Sequence, residues 1–95
     1  MSVKKQLKFA ARAFGNIAAA EAFIAKDNPA AAAKVVETIF KTAERLELFT
    51  ELGKAGRVAG TRELALEKYP YTLVYRIRAA YVVVYAVLHQ SRQYP

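Results

Sequence analysis

The strongest constraint on the fold is a change in residue chemistry between the first and the last part of the chain. From Ala10 to Ala33, twelve of 24 residues are alanine, which has the highest intrinsic helix propensity. From Tyr71 to Leu88 the chain is instead rich in tyrosine and valine, which favour β-strands. Helices followed by strands predict an α+β fold of two packed layers.

The run Asp27-Asn28-Pro29 divides the helical part into two helices. Pro29 disfavours the helical conformation at Asn28, so the first helix must end there. Asn28 then caps the second helix and Pro29 takes its first position. Because glycine weakens a helix by about 0.8–1.0 kcal/mol relative to alanine, we expect the first helix to begin just after Gly15.

The second helix is predicted from about Pro29 to Leu52, with Gly53 as its C-terminal stop. Apolar residues recur there at helical spacing, which predicts one buried face. These residues are Val35, Ile39, Ala43, Leu46 and Phe49. The first half is therefore predicted to be an antiparallel αα-hairpin.

Four segments have strand patterns. Residues 3–9, with three lysines among apolar residues, predict an N-terminal edge strand. Arg62–Glu67, Tyr71–Arg78 and Tyr81–Leu88 predict a three-stranded antiparallel meander. In the middle strand one face should carry Tyr71, Leu73, Tyr75 and Ile77, and the other Thr72, Val74, Arg76 and Arg78.

Composition limits the possible functions. A chain of 95 residues is one domain, residues 1–95. It has no cysteine and one histidine, which excludes disulfides, cysteine–zinc sites and multi-histidine metal sites. We expect no metal and no cofactor. No apolar run is long enough to span a membrane and no signal peptide is visible, so we expect a cytoplasmic protein without membrane contact.

The segment from Gly53 to Gly60 predicts a flexible basic loop. Its three glycines do not match the spacing of a phosphate-binding P-loop, so turn geometry is the better interpretation.

The positive charge is the main indication of a binding surface. The net charge is +7, which favours acidic partners. Arginine suits bidentate recognition of phosphate or carboxylate, and the last part of the chain combines arginines with tyrosines that can stack on bases. A nucleic acid and an acidic protein both fit this surface. The arginines are Arg57, Arg62, Arg76, Arg78 and Arg92, and the tyrosines are Tyr69, Tyr71, Tyr75, Tyr81, Tyr85 and Tyr94.

Three residues near the C-terminus could cleave a phosphodiester without a metal. Arg92 could stabilise negative charge on the phosphate, while His89 or Tyr94 could move a proton. The alternative is structural: His89 ends a strand and Arg92 pairs with a carboxylate.

Motifs along almost the whole chain resemble the RelE/ParE toxin superfamily. The junction between the helices, Ile24-Ala25-x-Asp27-Asn28-Pro29-x-Ala31-Ala32, is similar to that of the family. Three further stretches carry the resemblance: Gly56-Arg57-Val58-x-Gly60-Thr61-Arg62-Glu63-Leu64, Tyr69-Pro70-Tyr71-x-Leu73-Val74-Tyr75-Arg76-Ile77 and Val87-Leu88-His89-x-x-Arg92-Gln93-Tyr94-Pro95.

The resemblance implies the toxin of a type II toxin–antitoxin module, bound and neutralised by a cognate antitoxin in a hetero-oligomer. Such toxins inhibit growth, and their modules stabilise plasmids. ParE-like members block DNA gyrase by protein contact. RelE-like members enter the ribosome and cut mRNA, which would make the protein an enzyme.

One position separates the two branches. RelE-like toxins commonly carry an arginine just before the Leu-Val-Tyr of the middle strand, where this chain has Thr72. His89 follows the Leu-His-x-x-Arg pattern of ParE-like and unassigned members more than the pattern of RelE-like nucleases, so the ParE-like branch is favoured. As the alternative, a nuclease would use Arg92 with His89, Tyr94 or Arg76. Contacts to the target or the antitoxin are predicted at Arg57, Arg62, Tyr75, Arg76, Arg78 and Arg92.

Overall fold

Two helices pack on one face of a five-stranded sheet in the computed structural model, which describes residues 3–91. This is the two-layer α+β arrangement that the sequence predicts. None of the helices in this part of the chain is long and apolar enough to cross a membrane. The elements are β1 (Gln6–Phe9), α1 (Ala11–Ala25), α2 (Pro29–Glu44), β2 (Lys54–Ala55), β3 (Arg62–Ala65), β4 (Tyr71–Ile77) and β5 (Tyr81–His89).

The strands lie in the order β1-β5-β4-β3-β2. The predicted antiparallel meander of β3, β4 and β5 is confirmed. β1 is an edge strand, as predicted, and runs parallel to β5. The segment predicted to be a flexible loop contains the two-residue strand β2, which pairs with Arg62 and Glu63 of β3.

Helix α1 begins earlier than predicted and runs through Gly15. Its contacts with the rest of the fold outweigh the weak propensity of one glycine, because helices in proteins are stabilised mainly by packing. Ala13, Ile17 and Ala20 form its buried face. The Asn16 side chain also accepts a hydrogen bond from the backbone N–H of Val87 at 3.0 Å, which ties α1 to β5.

Helix α2 begins as predicted and ends earlier than predicted. Asn28 accepts a hydrogen bond from the Ala31 N–H at 3.0 Å, and Pro29 is the first helical residue. The helix ends at Glu44 and is followed by one 3₁₀ turn, Arg45–Glu47, instead of continuing to Leu52. The next residues bond to the sheet: Tyr75 donates its hydroxyl to the Thr50 carbonyl at 2.7 Å.

The hydrophobic core lies between the helices and one face of the sheet. Removing such side chains from water contributes about 1.5–3 kcal/mol each to folding. The predicted apolar face of α2 is confirmed for Val35, Ile39, Ala43 and Leu46, which are buried, whereas Phe49 is 61% exposed. On the sheet, the fully buried side chains are Leu73, Tyr75, Val82 and Val84.

The turn between β4 and β5 lacks glycine, proline, asparagine and aspartate. The Arg78 N–H closes it by donating to the Tyr81 carbonyl at 2.8 Å. Lys5 donates from Nζ to the carbonyls of Arg78 and Ala79, at 2.7 Å each. Lys5, just before β1, therefore hydrogen-bonds two backbone carbonyls of a turn whose residues have low turn propensity.

Candidate functional site

A basic groove lies on the face of the sheet opposite the helices. It has a volume of about 530 Å³ and a lining of both charged and apolar side chains. Its lining residues are Ala10, Arg12, Val58, Thr61, Val74, Arg76, Arg78, Tyr85, Ala86 and Leu88. Among the described residues, this lining contains three arginines and no acidic residue, so the groove suits an anionic group.

Strand β4 supplies two of these arginines. Val74, Arg76 and Arg78 alternate with the core residues Leu73, Tyr75 and Ile77, as the sequence predicts. Arg76 is half-buried, and its Cζ atom lies 5.7 Å from the centre of the Tyr85 ring. A guanidinium over an aromatic face is attracted to the ring electrons. Arg78 is exposed at the end of the strand.

A bulge in β5 shapes the floor of the groove. Val74 pairs with Ala86 and Tyr75 with Val84, so Tyr85 has no partner in β4. An extra residue of this kind interrupts the alternation of a strand and increases its twist. Tyr85 and Ala86 consequently both line the groove, while Val84 and Val87 belong to the core.

The third arginine, Arg12, comes from the first turn of α1 and was not among the predicted site residues. The Ala10 N–H donates to the Val84 carbonyl at 2.9 Å, which fixes the start of α1 beside β5. Arg12 is exposed there and lines the groove. No sequence signal could have found it, because its place depends on the parallel pairing of β1 with β5.

The connection between β2 and β3 forms one wall of the groove. Its backbone closes through Gly56, whose N–H donates to the Thr61 carbonyl at 2.8 Å. Thr61 donates its hydroxyl to the Val58 carbonyl at 2.6 Å. Glu63, 6% exposed, accepts from the Arg57 N–H at 3.0 Å and lies 3.5 Å from Arg57 Nε. The Gly56–Thr61 wall is therefore ordered by internal contacts.

Two of the residues predicted to contact the target or the antitoxin make hydrogen bonds within the fold. Tyr75 is fully buried, donates to the Thr50 carbonyl and accepts from the Gly53 N–H at 2.9 Å. Arg62 donates from Nη2 to the carbonyls of Glu51 and Gly53. Both side chains hold the segment that follows the 3₁₀ turn. Neither lines the groove.

The predicted catalytic residues do not converge within the described chain. His89 packs edge-to-face on the core residue Tyr71, with ring centres 5.2 Å apart, so it lies on the helix side of the sheet. Its Nδ1 atom accepts from the Ser91 N–H at 3.2 Å. Arg76 points into the groove on the other side. Arg92 and Tyr94 lie outside residues 3–91, so their predicted roles stay predictions.

No group of three histidine, cysteine, aspartate or glutamate side chains that could hold a metal ion occurs within residues 3–91.

Sequence comparison identifies the family. The family model described as the ParE toxin of the type II toxin–antitoxin system, parDE, matches residues 7–94. The chain belongs to the ParE toxin family. It is also 36% identical over 92 residues to the putative toxin Y4kP of Sinorhizobium fredii, a match that covers 97% of this chain and 95% of that protein.

Solved structures have the same fold as this ParE family member. A chain of the chromosomal ParDE toxin–antitoxin system from P. aeruginosa superposes with a TM-score of 0.82 at 22% identity, covering 93% of this chain and 98% of that one. A chain of the toxin–antitoxin complex RelBE2 from Mycobacterium tuberculosis gives 0.59 at 26% identity, covering 95% of both chains. The predicted RelE/ParE fold and the assignment to type II toxins of the ParE-like branch are therefore confirmed.

Proposed function

We propose that this ParE family toxin inhibits DNA gyrase by protein contact and that a cognate antitoxin neutralises it in the cytoplasm. The observation that carries the proposal is the separation of Arg76 from His89 by the sheet. The basic groove offers charge and shape to a partner, but among the described residues it contains no histidine and no carboxylate that could move a proton.

Binding and catalysis make different demands on such a groove. Phosphodiester cleavage requires a proton-transfer group within about 2.6–3.2 Å of the reacting oxygen, directly or through one water. His89 packs on Tyr71 at the opposite face of the sheet and cannot reach a phosphate held by Arg76. Binding to a protein needs only complementary charge and shape. The geometry of the described residues therefore supports binding by contact rather than cleavage assisted by His89.

An acidic, partly apolar segment of the antitoxin suits the same surface. The rim of the groove is positive at Arg12 and Arg78, and Val74, Ala86 and Leu88 make its floor apolar. Large side chains outside the groove are also uncovered, including Phe23 and Phe49 at 61% exposure each. Because exposed apolar patches promote aggregation, we expect the toxin to be more soluble when co-expressed with its antitoxin, as a hetero-oligomer.

The direct test measures supercoiling of relaxed plasmid by purified gyrase with and without the protein. We expect inhibition, and we expect the double variant R76A/R78A to need about tenfold more protein, a change of about 1.4 kcal/mol. The double variant K34A/R45A removes two exposed positive charges outside the groove and serves as the matched control. His89→Ala should inhibit like the unmodified chain. Gyrase that supercoils normally at all concentrations would contradict the proposal.

A second candidate is the RelE-like, ribosome-dependent mRNA endoribonuclease. The observation in its favour is the position of Arg76 on the same strand face as Thr72, where it could replace the arginine that RelE-like toxins commonly carry before their Leu-Val-Tyr. Cleavage of mRNA on purified ribosomes tests it. A nuclease should lose about 10²-fold or more in rate with Arg76→Ala or Arg92→Ala, the usual size for removing a charge stabiliser.

A further inference from the structure

Gly60 lies against the guanidinium of Arg76. A Cβ atom built on Gly60 would lie 2.5 Å from Arg76 Nη1, closer than non-bonded atoms approach. Gly60 also has a φ angle of +83°, in the region that favours glycine over residues with a side chain. Because Gly60 has no side chain, the end of the Arg76 side chain can occupy the space beside it.

The backbone on the glycine side of this contact is held in place. The Gly56 N–H binds the Thr61 carbonyl, and the Thr61 hydroxyl binds the Val58 carbonyl. The buried Glu63 carboxylate binds the Arg57 N–H. A Cβ atom at position 60 would strain the backbone at this positive φ and would also press on the flexible end of Arg76. Because these hydrogen bonds restrain the rest of the Gly56–Thr61 wall, we expect the Arg76 side chain to be displaced.

Tyr85 is the second neighbour of the guanidinium, with its ring centre 5.7 Å from Arg76 Cζ. It is the unpaired bulge residue of β5. A free arginine side chain samples many rotamers, and ordering it on binding costs affinity. Contacts with Gly60 and Tyr85 restrict the side chain before any partner arrives.

We propose that Gly60 is a positioning residue that holds the Arg76 guanidinium against Tyr85, ready to bind an anionic group of the partner. The effect of this role on gyrase inhibition rests on the proposed function. The position of the Arg76 side chain, in contrast, is a property of the isolated toxin. The two parts can therefore be tested separately.

The first test observes Arg76 directly by NMR in the toxin alone. The Nε–Hε resonance of Arg76 is assigned by its loss in Arg76→Lys, and a guanidinium held near an aromatic ring has a ring-current shift. We expect Gly60→Ala to remove that shift. Gly15→Ala should preserve it, because a Cβ atom there would meet no described residue within 4 Å beyond its chain neighbours and the backbone of its own helix. An unchanged Arg76 resonance in Gly60→Ala would overturn the proposal. If Gly60→Ala does not fold, ¹⁵N relaxation of the unmodified toxin replaces it. An Arg76 Nε–Hε group as mobile as that of the exposed Arg45 would then overturn the proposal.

The second test is a double-mutant cycle in the gyrase assay. Gly60→Ala should raise the inhibitory concentration a few-fold in the unmodified chain, no more than Arg76→Ala does, and should add nothing when Arg76 is already alanine. An equal loss in both backgrounds would mean that Gly60 acts only on the fold, and would overturn the positioning role. If the resonance moves in Gly60→Ala while gyrase supercoils normally with the unmodified toxin, the positioning of Arg76 is supported and the gyrase proposal is wrong.

Discussion

Tyr75 in the middle of the sheet and Thr50 after the 3₁₀ turn are joined by a hydrogen bond of 2.7 Å from the phenolic hydroxyl to the backbone carbonyl. The phenolic oxygen of Tyr75 also accepts a hydrogen bond from the Gly53 N–H at 2.9 Å. One buried side chain therefore satisfies a donor and an acceptor of the segment that connects α2 to β2.

Tyr75→Phe should lower the free energy of unfolding by about 1–3 kcal/mol, because two backbone groups lose their partner in a buried site. Urea denaturation measures the change. Tyr85→Phe is the control, since that hydroxyl makes no hydrogen bond within residues 3–91. Equal stability of the two variants would contradict this account of Tyr75.

Glu63→Ala should loosen the wall of the groove. The carboxylate is 6% exposed and binds both the backbone N–H and the guanidinium of Arg57. Removing a hydrogen bond to a charged group costs about 1.5–3 kcal/mol. Hydrogen exchange should show faster exchange at the amide of Arg57 than in the unmodified protein. An unchanged exchange rate at the Arg57 amide would mean that other contacts hold the Gly56–Thr61 wall.

Asn28→Ala should destabilise the start of α2. Its side chain accepts the Ala31 N–H at 3.0 Å, and loss of such a cap costs about 1 kcal/mol. For a domain of this size we expect the melting temperature to fall by about 4–8 °C. Asn28→Ser keeps an acceptor at the cap and should melt close to the unmodified protein. A melting temperature that falls equally in both variants would argue against the cap.

Two glycine-to-alanine variants should change stability in opposite directions. Gly15 lies inside α1 with open space around it, so Gly15→Ala should stabilise the protein by about 0.8–1.0 kcal/mol. At Gly53 a Cβ atom would lie 2.6 Å from the Glu63 carbonyl oxygen, so Gly53→Ala should destabilise it. Thermal unfolding of both variants provides the measurement. A stabilising Gly53→Ala would mean that the backbone of β3 moves away at little cost.

Arg12→Ala should weaken gyrase inhibition about as much as Arg78→Ala, because both are exposed at the rim of the groove. The loss for each should be a few-fold and should shrink as salt is added, since charges near the surface are screened. Arg45→Ala controls for the general loss of positive charge. An Arg12→Ala variant that inhibits like Arg45→Ala would place Arg12 outside the contact surface.

The amino-acid sequence by itself determined the features that depend on neighbouring residues. The cap at Asn28, the start of α2 at Pro29 and the alternation of β4 all follow from interactions within a few residues. The same alternation placed Arg76 and Arg78 on one strand face. The motifs around these residues were enough to indicate the toxin family.

Only the tertiary structure decided the features that depend on residues far apart in the chain. The early end of α2 follows from the bond between Tyr75 and Thr50, and the continuation of α1 through Gly15 follows from packing. The bulge at Tyr85 reverses the faces of the residues after it, placing Ala86 in the groove and His89 on the side of the helices. Arg12 reaches the groove only because β1 pairs with β5. A residue pattern records local preference, whereas these positions are set by contacts that exist only once the chain has folded.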